Sequence, residues 1–356
     1  MRQANKLAQK ALAGLKAQSR SYTQASTKTP PRSLMTIADL SPAEFTSLVR
    51  NAASHKALVK GGNAQHAAAL RAKLAGQTVA MMFSKRSTRT RVSTEAAVTM
   101  MGGHPMFLGK DDIQLGVNES LYDTSVVISS MTSCIVARVG PHSDVADLAA
   151  HSSVPVINAL SDDFHPLQSI ADFLTIHETF PSSSNSCLGL SGLKIAWVGD
   201  SNNVLFDLAI SAVKCDATIA AASPQEYGIP QHMRDLINSA AASAPSPGRL
   251  IETTVPEEAV KDADILVTDT WISMGQEAET QKRLKAFEGY QITEELAARG
   301  GAKEGWKFMH CLPRHKEEVD DEVFYGKRSL VFPEAENRLW AALSALEGFV
   351  VNKGKF

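Results

Sequence analysis

A chain of 356 residues exceeds what one compact core usually holds, so two domains are expected. Its 44% hydrophobic and 21% charged content is that of an ordinary globular enzyme, and a net charge of −2 gives no overall pull toward nucleic acid or an anionic membrane. No apolar run is long enough to span a bilayer, and Cys134, Cys187, Cys215 and Cys311 show neither CxxC nor Cys/His zinc spacing, which argues against a structural metal and for a reducing compartment.

The first 38 residues carry Arg2, Lys6, Lys10, Lys16, Arg20, Lys28 and Arg32 and no acidic residue before Asp39. Leu7, Ala11 and Leu15 fall at helical spacing, and Ser, Thr and Gln dominate residues 18–29. A continuous apolar core is missing, so residues 1–32 read as a mitochondrial transit peptide, with a matrix location, or else as a disordered basic tail. Ser41, Pro42 and Glu44 form a capping-box start for a helix that runs to about residue 60 and stops at Gly61-Gly62.

Residues 78–83 (TVAMMF) read as a buried strand that ends in Ser84-Lys85-Arg86-Ser87-Thr88-Arg89-Thr90-Arg91, and a helical pattern follows through Val92, Ala96, Ala97, Val98 and Met101. Strand, polar turn and helix point free backbone N–H groups and a positive helix end at an anion. Ser87, Thr88 and Thr90 add hydroxyl donors, and Arg89 adds a planar fork suited to phosphate oxygens. The alternative is a solvated basic turn. No GKS or GKT follows a glycine-rich loop, so this is not a P-loop.

A strand after residue 103, a polar loop over 110–123, strand 134–139, helix 143–150, strand 154–158 and helix 166–180 continue an alternating pattern, which implies a parallel sheet covered on both faces. Residues 181–186 (PSSSNS) read as a linker, and a second series begins with strand 193–199 and helix 204–213. Strands 217–221, 249–253, 265–268 and 307–309 continue it, with a surface loop at 239–248, and an amphipathic helix over 335–349 closes the chain.

Candidate functional residues sit mostly where these strands end. Arg138 closes CIVAR, as an ion-pairing residue or as a fixed cation. His165-Pro166-Leu167-Gln168 opens a helix, with His165 a possible cap and Gln168 a neutral polar group able to read an amide. Gly199-Asp200-Ser201-Asn202-Asn203 and Asp269-Thr270-Trp271-Ile272-Ser273-Met274-Gly275 both follow strands, where open α/β sheets bind ligands, although each could be a plain turn. Cys311, in His310-Cys311-Leu312-Pro313, is core filler or a site residue, and Arg338 in PEAENRLW is a surface or ligand-binding arginine.

Taken in order, these motifs make the chain resemble the aspartate/ornithine carbamoyltransferase family from about residue 33 to its end. Ser87-Thr88-Arg89-Thr90-Arg91 looks like the family's carbamoyl-phosphate loop, HPLQ and HCLP match two further signatures, and DTWISMG resembles the loop of the ornithine-specific members, which the aspartate-specific relatives lack. The resemblance implies an α/β fold of two doubly wound parallel-sheet domains with helices on both faces, joined by interdomain helices. It assigns 33–180 to carbamoyl phosphate, 181–333 to ornithine, and 334–356 to a helix returning to the first domain.

The implied reaction moves the carbamoyl group of carbamoyl phosphate to the δ-amine of L-ornithine, giving L-citrulline and phosphate, in arginine biosynthesis or the urea cycle. Carbamoyl phosphate would be held by Ser87, Thr88, Arg89, Thr90, Gln114, Arg138, His165, Gln168, Cys311, Leu312 and Arg338. Ornithine would be held by Asn203, Asp269, Ser273 and Met274. Arg138 and His165 would polarise the carbonyl, and Cys311 would accept a proton. No metal or organic cofactor, nucleic acid or membrane is implied. The family forms homotrimers with shared active sites, in which Gln114 would reach a neighbour's site; Asn118 stands where some relatives have Lys. The rivals are a carbamoyltransferase for aspartate, putrescine or N-acetylornithine, and an inactive regulatory subunit. A dehydrogenase lacks support, because no G-x-G-x-x-G follows the strand at 193.

Overall fold

The computed structural model describes residues 30–110, 112, 119–180, 187–272 and 277–356. Residues 1–29 of the transit peptide expected over 1–32, the linker at 181–186, and Gln114, Ser273 and Met274 lie outside the described residues.

The first sheet is built from β1 (Thr78–Phe83), β2 (His104–Gly109), β3 (Cys134–Arg138) and β4 (Val156–Leu160), all parallel, in the order β2-β1-β3-β4. β1 and β3 are central, and their near-continuous apolar sequences follow from burial on both faces. Helices α1 (Pro42–Lys60), α2 (Ala64–Arg71), α3 (Arg89–Met100), α4 (Leu121–Met131), α5 (His142–His151) and α6 (Pro166–Thr179) accompany this sheet. The capping box at α1 is present: Glu44 N donates to Ser41 Oγ at 3.3 Å, and Ser41 N donates to the Glu44 carboxylate at 2.8 Å.

The second sheet has β5 (Lys194–Val198), β6 (Thr218–Ala222), β7 (Arg249–Thr253), β8 (Ile265–Val267) and β9 (Lys307–Met309), again all parallel, in the order β7-β6-β5-β8-β9. Its helices are α7 (Asn203–Lys214), α8 (Gln231–Ala242), α9 (Pro256–Val260), α10 (Thr280–Ala286), α11 (Glu294–Gly300) and α12 (Asp321–Tyr325). The last helix, α13 (Val331–Leu346), packs on α6, α3 and α1, so the end of the chain lies against the elements of the first sheet.

Strand order reverses between β1 and β3 in one sheet and between β5 and β8 in the other. Loops leave in opposite directions at such points and open a crevice at the strands' C-terminal ends. The loops after these four strands begin at Ser84, Val139, Gly199 and Thr268 and carry most of the candidate motifs.

Three expectations change. The loop over 110–123 ends earlier, because Ser120 caps α4 by accepting from Asp123 N at 3.1 Å. That helix is inverted: its buried residues are Thr124, Ser125 and Ser129, while Val126, Val127 and Met131 are exposed, so an inward apolar period was absent from the sequence. The closing helix begins at Val331, with Pro333 tolerated in its first turn, and passes into a wider π turn over Glu347–Val351. Helices α2 and α8 to α12 were not foreseen; most are short and charged.

Candidate active site

A cleft of about 1220 Å³ opens over the C-terminal strand ends. One wall comes from the turn after β1, from Arg138, from the start of α6, and from Arg338 on α13. The α3 N-terminus has no side-chain cap from Thr88; instead Thr90 N donates to Ser87 Oγ at 3.2 Å. Arg138 and Arg338 are 8% and 3% exposed, and each keeps a buried Nε with no partner among the described residues. Burial, reinforced for Arg138 by Arg338 and Arg89, pulls its guanidinium down to about 10; burial, with Arg89 adding to it, pulls Arg338 down to about 10 as well. Both stay charged at neutral pH. Among the described residues none of the three arginines is in a salt bridge, so this wall is an unneutralised cationic site that an anion would stabilise.

His165 sits at the α6 start, its backbone N–H donating to Asp207 Oδ2 at 2.8 Å. Burial and then the charges of Arg338, Arg138 and Arg89 push its pKa well below 6.5, so the ring is neutral. Arg338 Nη1 lies 3.4 Å from Nε2. Arginine only donates, so Nε2 is the acceptor and Nδ1 carries the proton; Nδ1 is buried without a partner among the described residues. A neutral imidazole with a spare N–H beside three cations can polarise a carbonyl oxygen.

Gln168 receives Arg338 Nη1 on its Oε1 at 2.5 Å and donates from Nε2 to Asp172 at 2.7 Å and to Glu334 at 2.9 Å. Glu334 also accepts the His310 backbone N–H at 2.9 Å. Burial pushes both carboxyls up, and they bond to each other, an arrangement in which one proton is shared.

The facing wall is acidic and amidic. Asp269, just after β8, accepts from Asn202 Nδ2 at 2.8 Å and from the Cys311 thiol at 3.1 Å. Asn202 caps α7 by accepting from Val204 N and Leu205 N. Asn203 donates to the Ser161 carbonyl at 2.6 Å. Leu312, at φ 64°, presents its carbonyl to Arg89 Nη2 at 2.5 Å. Further back, Arg283 donates to Asp200 at 3.0 Å and to the Trp271 carbonyl at 3.0 Å, and Trp271 stacks on Phe287 at 5.0 Å. Burial raises Asp200 to about 6, although Arg283 opposes the shift. Fully buried His310 bonds Glu318 at 3.0 Å through Nε2 and accepts Leu312 N on Nδ1 at 2.9 Å, which holds the HCLP turn.

The structure therefore brings Ser87, Thr88, Arg89, Thr90, Arg138, His165, Gln168, Asn203, Asp269, Cys311, Leu312 and Arg338 to one cleft. Two of these groups already have partners within the chain. Burial first, then the Asp269 carboxylate, push the Cys311 thiol well above 9, and it donates to Asp269. The Leu312 carbonyl is already engaged by Arg89. Sequence reasoning missed Asp172, Glu334 and Asp207, which lie behind the cleft, and Arg283, which lines it. Asn202 was seen only as part of a turn, although a polar residue ahead of an apolar helix is the usual sign of a cap.

Comparison with known proteins gives the same frame. Residues 32–178 match the carbamoyl-P binding domain, and residues 191–347 the Asp/Orn binding domain, of aspartate/ornithine carbamoyltransferase. The mitochondrial ornithine carbamoyltransferase of Emericella nidulans is 72% identical over 327 residues, 91% of this chain and 90% of the relative. That of Coccidioides immitis is 70% identical over 347 residues, 96% of this chain and 99% of the relative. The crystal structure of a mitochondrial ornithine carbamoyltransferase from Coccidioides immitis aligns with a TM-score of 0.85 at 68% identity, covering 91% of this chain and 99% of that one. An ornithine carbamoyltransferase from Pyrococcus furiosus aligns at 0.81 with 39% identity, covering 90% and 97%. Two cleft walls of opposite character, both family domains and this extent of identity lead to one assignment: the chain belongs to the aspartate/ornithine carbamoyltransferase family.

Proposed function

We propose that the chain transfers the carbamoyl group of carbamoyl phosphate to the δ-amine of L-ornithine, giving L-citrulline and phosphate. The observation that carries this reading is the unneutralised cluster of Arg89, Arg138 and Arg338 facing Asp269 and Cys311 across one cleft. The phosphate rests on Ser87, Thr88, Thr90, Arg89 and Arg338, with Gln114 coming from a neighbouring subunit. Arg138 and His165 hold the carbonyl oxygen, and Gln168 and the Leu312 carbonyl meet the carbamoyl NH2. Ornithine lies on Asn203, Asp269, Ser273 and Met274. The neutral δ-amine attacks the carbonyl carbon, the new C–N bond forms, the C–O bond to phosphate breaks, and the amine proton leaves with the help of the departing phosphate. Cationic walls favour the neutral amine and stabilise the tetrahedral oxyanion. Cys311 contributes as a neutral thiol against the ornithine chain. The reading invokes no metal or organic cofactor.

Residues 33–180 serve carbamoyl phosphate, 181–333 serve ornithine, and 334–356 return to the first domain. A homotrimer is supported by exposed Val92, Met106, Tyr122, Val126, Val127 and Met131, which all belong to elements of the first sheet, and by the inverted face of α4. Residues 1–32 act as a mitochondrial address, a reading supported by their basic, acid-free composition and by relatives named as mitochondrial.

Citrulline formation measured in parallel with ornithine, putrescine, aspartate and N-acetylornithine tests the reaction: ornithine is expected to be used selectively, and faster turnover of another amine would refute the assignment. Mixing Gln114→Ala with Cys311→Ala subunits tests the shared site, provided the Gln114→Ala parent is first shown to be impaired. Mixed trimers are expected to exceed the mean of their parents, and no gain would place Gln114 outside a neighbour's site. A reporter fused to residues 1–35 is expected in mitochondria, and a cytosolic signal would return the segment to a basic tail.

A further inference from the structure

The geometry points to Asp172 and Glu334 as positioning residues that lock the Gln168 amide with its oxygen toward the cleft, and thereby make the site select a carbamoyl over an acyl phosphate. Neither carboxyl lines the cleft, whereas Gln168 does. An amide has two N–H donors and one carbonyl oxygen. The amide nitrogen of Gln168 is committed to Asp172 at 2.7 Å and to Glu334 at 2.9 Å, and its oxygen receives Arg338 at 2.5 Å. Turning the amide over would set its oxygen against two carboxyls and its NH2 against a guanidinium, like against like on both sides. Gln168 is 1% exposed, so water does not soften that conflict.

Among the described residues, the only hydrogen-bonding capacity left on Gln168 is the second lone pair of its oxygen. An acceptor of this kind binds an N–H and gains nothing from a methyl group. Carbamoyl phosphate and acetyl phosphate share the phosphate and the carbonyl and differ by NH2 against CH3 at this position. The three arginines and His165 cannot separate the two; a locked Gln168 can. Glu334 also fixes the lock to the facing wall, because its second oxygen takes the His310 N–H that begins the HCLP turn.

This inference rests on carbamoyl phosphate being the substrate. The test is the KM for carbamoyl phosphate against the competitive inhibition constant of acetyl phosphate, with the ornithine KM and the thermal midpoint recorded beside them. In Glu334→Gln the new carbonyl must face the His310 N–H, so its NH2 opposes that of Gln168. The expected result is a KM for carbamoyl phosphate raised about fivefold, the scale of one net hydrogen bond, with acetyl phosphate inhibition changed less than about twofold. Asp172→Ala, which removes the other acceptor, is expected to give the same selective loss and serves if Glu334→Gln does not fold. Asp172→Asn, whose oxygen can still accept from Gln168 while its NH2 faces Glu334, is expected to keep the wild-type ratio. Equal weakening of both ligands, or an unchanged ratio in Glu334→Gln and Asp172→Ala, would overturn the inference. Wild-type chain that makes no citrulline from carbamoyl phosphate would instead refute the functional reading.

Discussion

The two walls of the cleft solve opposite electrostatic problems. On the first-sheet side three arginines converge with no salt-bridge partner among the described residues, and a histidine beside them is kept neutral. On the second-sheet side three buried carboxyls are already answered: Asp269 by Asn202 and Cys311, Asp200 by Arg283, Glu318 by His310 and His315. Burial raises Glu318, yet the bonds from both histidines outweigh that and leave its carboxyl below the usual range. One wall stores unfavourable charge that an anion would relieve, while the other is assembled in advance and presents hydrogen-bonding geometry. The difference teaches where substitutions should act on binding and catalysis, and where on stability.

The largest break comes from the unanswered wall. Arg89→Ala is expected to lower kcat/KM for carbamoyl phosphate by about 10²–10³-fold, the scale of losing a preorganised donor at developing charge. Its circular dichroism and thermal midpoint should stay near wild type, since the residue relieves no buried carboxylate. Near-normal turnover would remove Arg89 from the site. Next is Asp269→Asn on the answered wall, where the KM for ornithine should rise about 10- to 100-fold, with that for carbamoyl phosphate little changed. The same variant removes the carboxylate that helps hold the Cys311 thiol protonated, so alkylation of Cys311 by iodoacetamide at pH 8 should accelerate. An unchanged alkylation rate would show that burial alone controls the thiol.

A smaller effect is one of pH. The folded His165 has a pKa well below 6.5, while the unfolded ring titrates near it. Below about pH 6.5 the unfolded chain therefore binds a proton that the folded chain refuses, and stability is lost as pH falls toward the folded value. The slope attributable to this one group is at most about 1.4 kcal/mol per pH unit. Urea unfolding at pH 7.5 and 5.5 should show a shallower acid-side loss in His165→Gln, and an identical slope would mean that other groups set it. The smallest expected effect sharpens the comparison from outside. Lys85 and Asp162 form a 2.5 Å pair, but their side chains are 30% and 50% exposed. Asp162→Asn should change stability by less than about 1 kcal/mol by thermal melting.

What the sequence revealed and what it hid follow from the same physics. β1 and its turn were legible because an apolar run ending in hydroxyls and arginines is local information. The strand ends carried recognisable clusters because ligands bind where strands stop. α4 was hidden because Val126, Val127 and Met131 face outward and its buried residues are Thr and Ser, so periodicity pointed nowhere. Asp172 and Glu334 lie on helices whose other buried residues are mostly apolar, and no local pattern says that two carboxyls 162 positions apart in the chain converge on one glutamine. Lys214 is a similar case: it reads as the basic end of a helix, yet its ammonium donates to the carbonyls of Ile37 and Ala38 at 2.8 and 3.0 Å, and to that of Leu40. The state of Cys311 was illegible for a related reason, because a thiol's charge depends on neighbours that only the fold supplies.

Asp207 accepts from Thr36 Oγ1 at 2.8 Å, from Ile37 N at 2.9 Å and from the backbone of His165 at 2.8 Å. Just upstream, Leu34 pairs with the β4 edge, Met35 takes the Asn158 amide on its carbonyl, and Arg32 reaches Glu44 and the Gly354 carbonyl. The segment around residues 32–37 is thus a tether whose far end is a site histidine. Any protease that trims the amino terminus therefore meets a sharp boundary. Cuts before about residue 32 leave the tether whole, whereas a cut only a few residues further in strips donors from Asp207 and leaves a buried carboxylate poorly answered next to the histidine it holds. Tolerance of trimming at the amino terminus and the integrity of the cleft are in this way set by the same few residues.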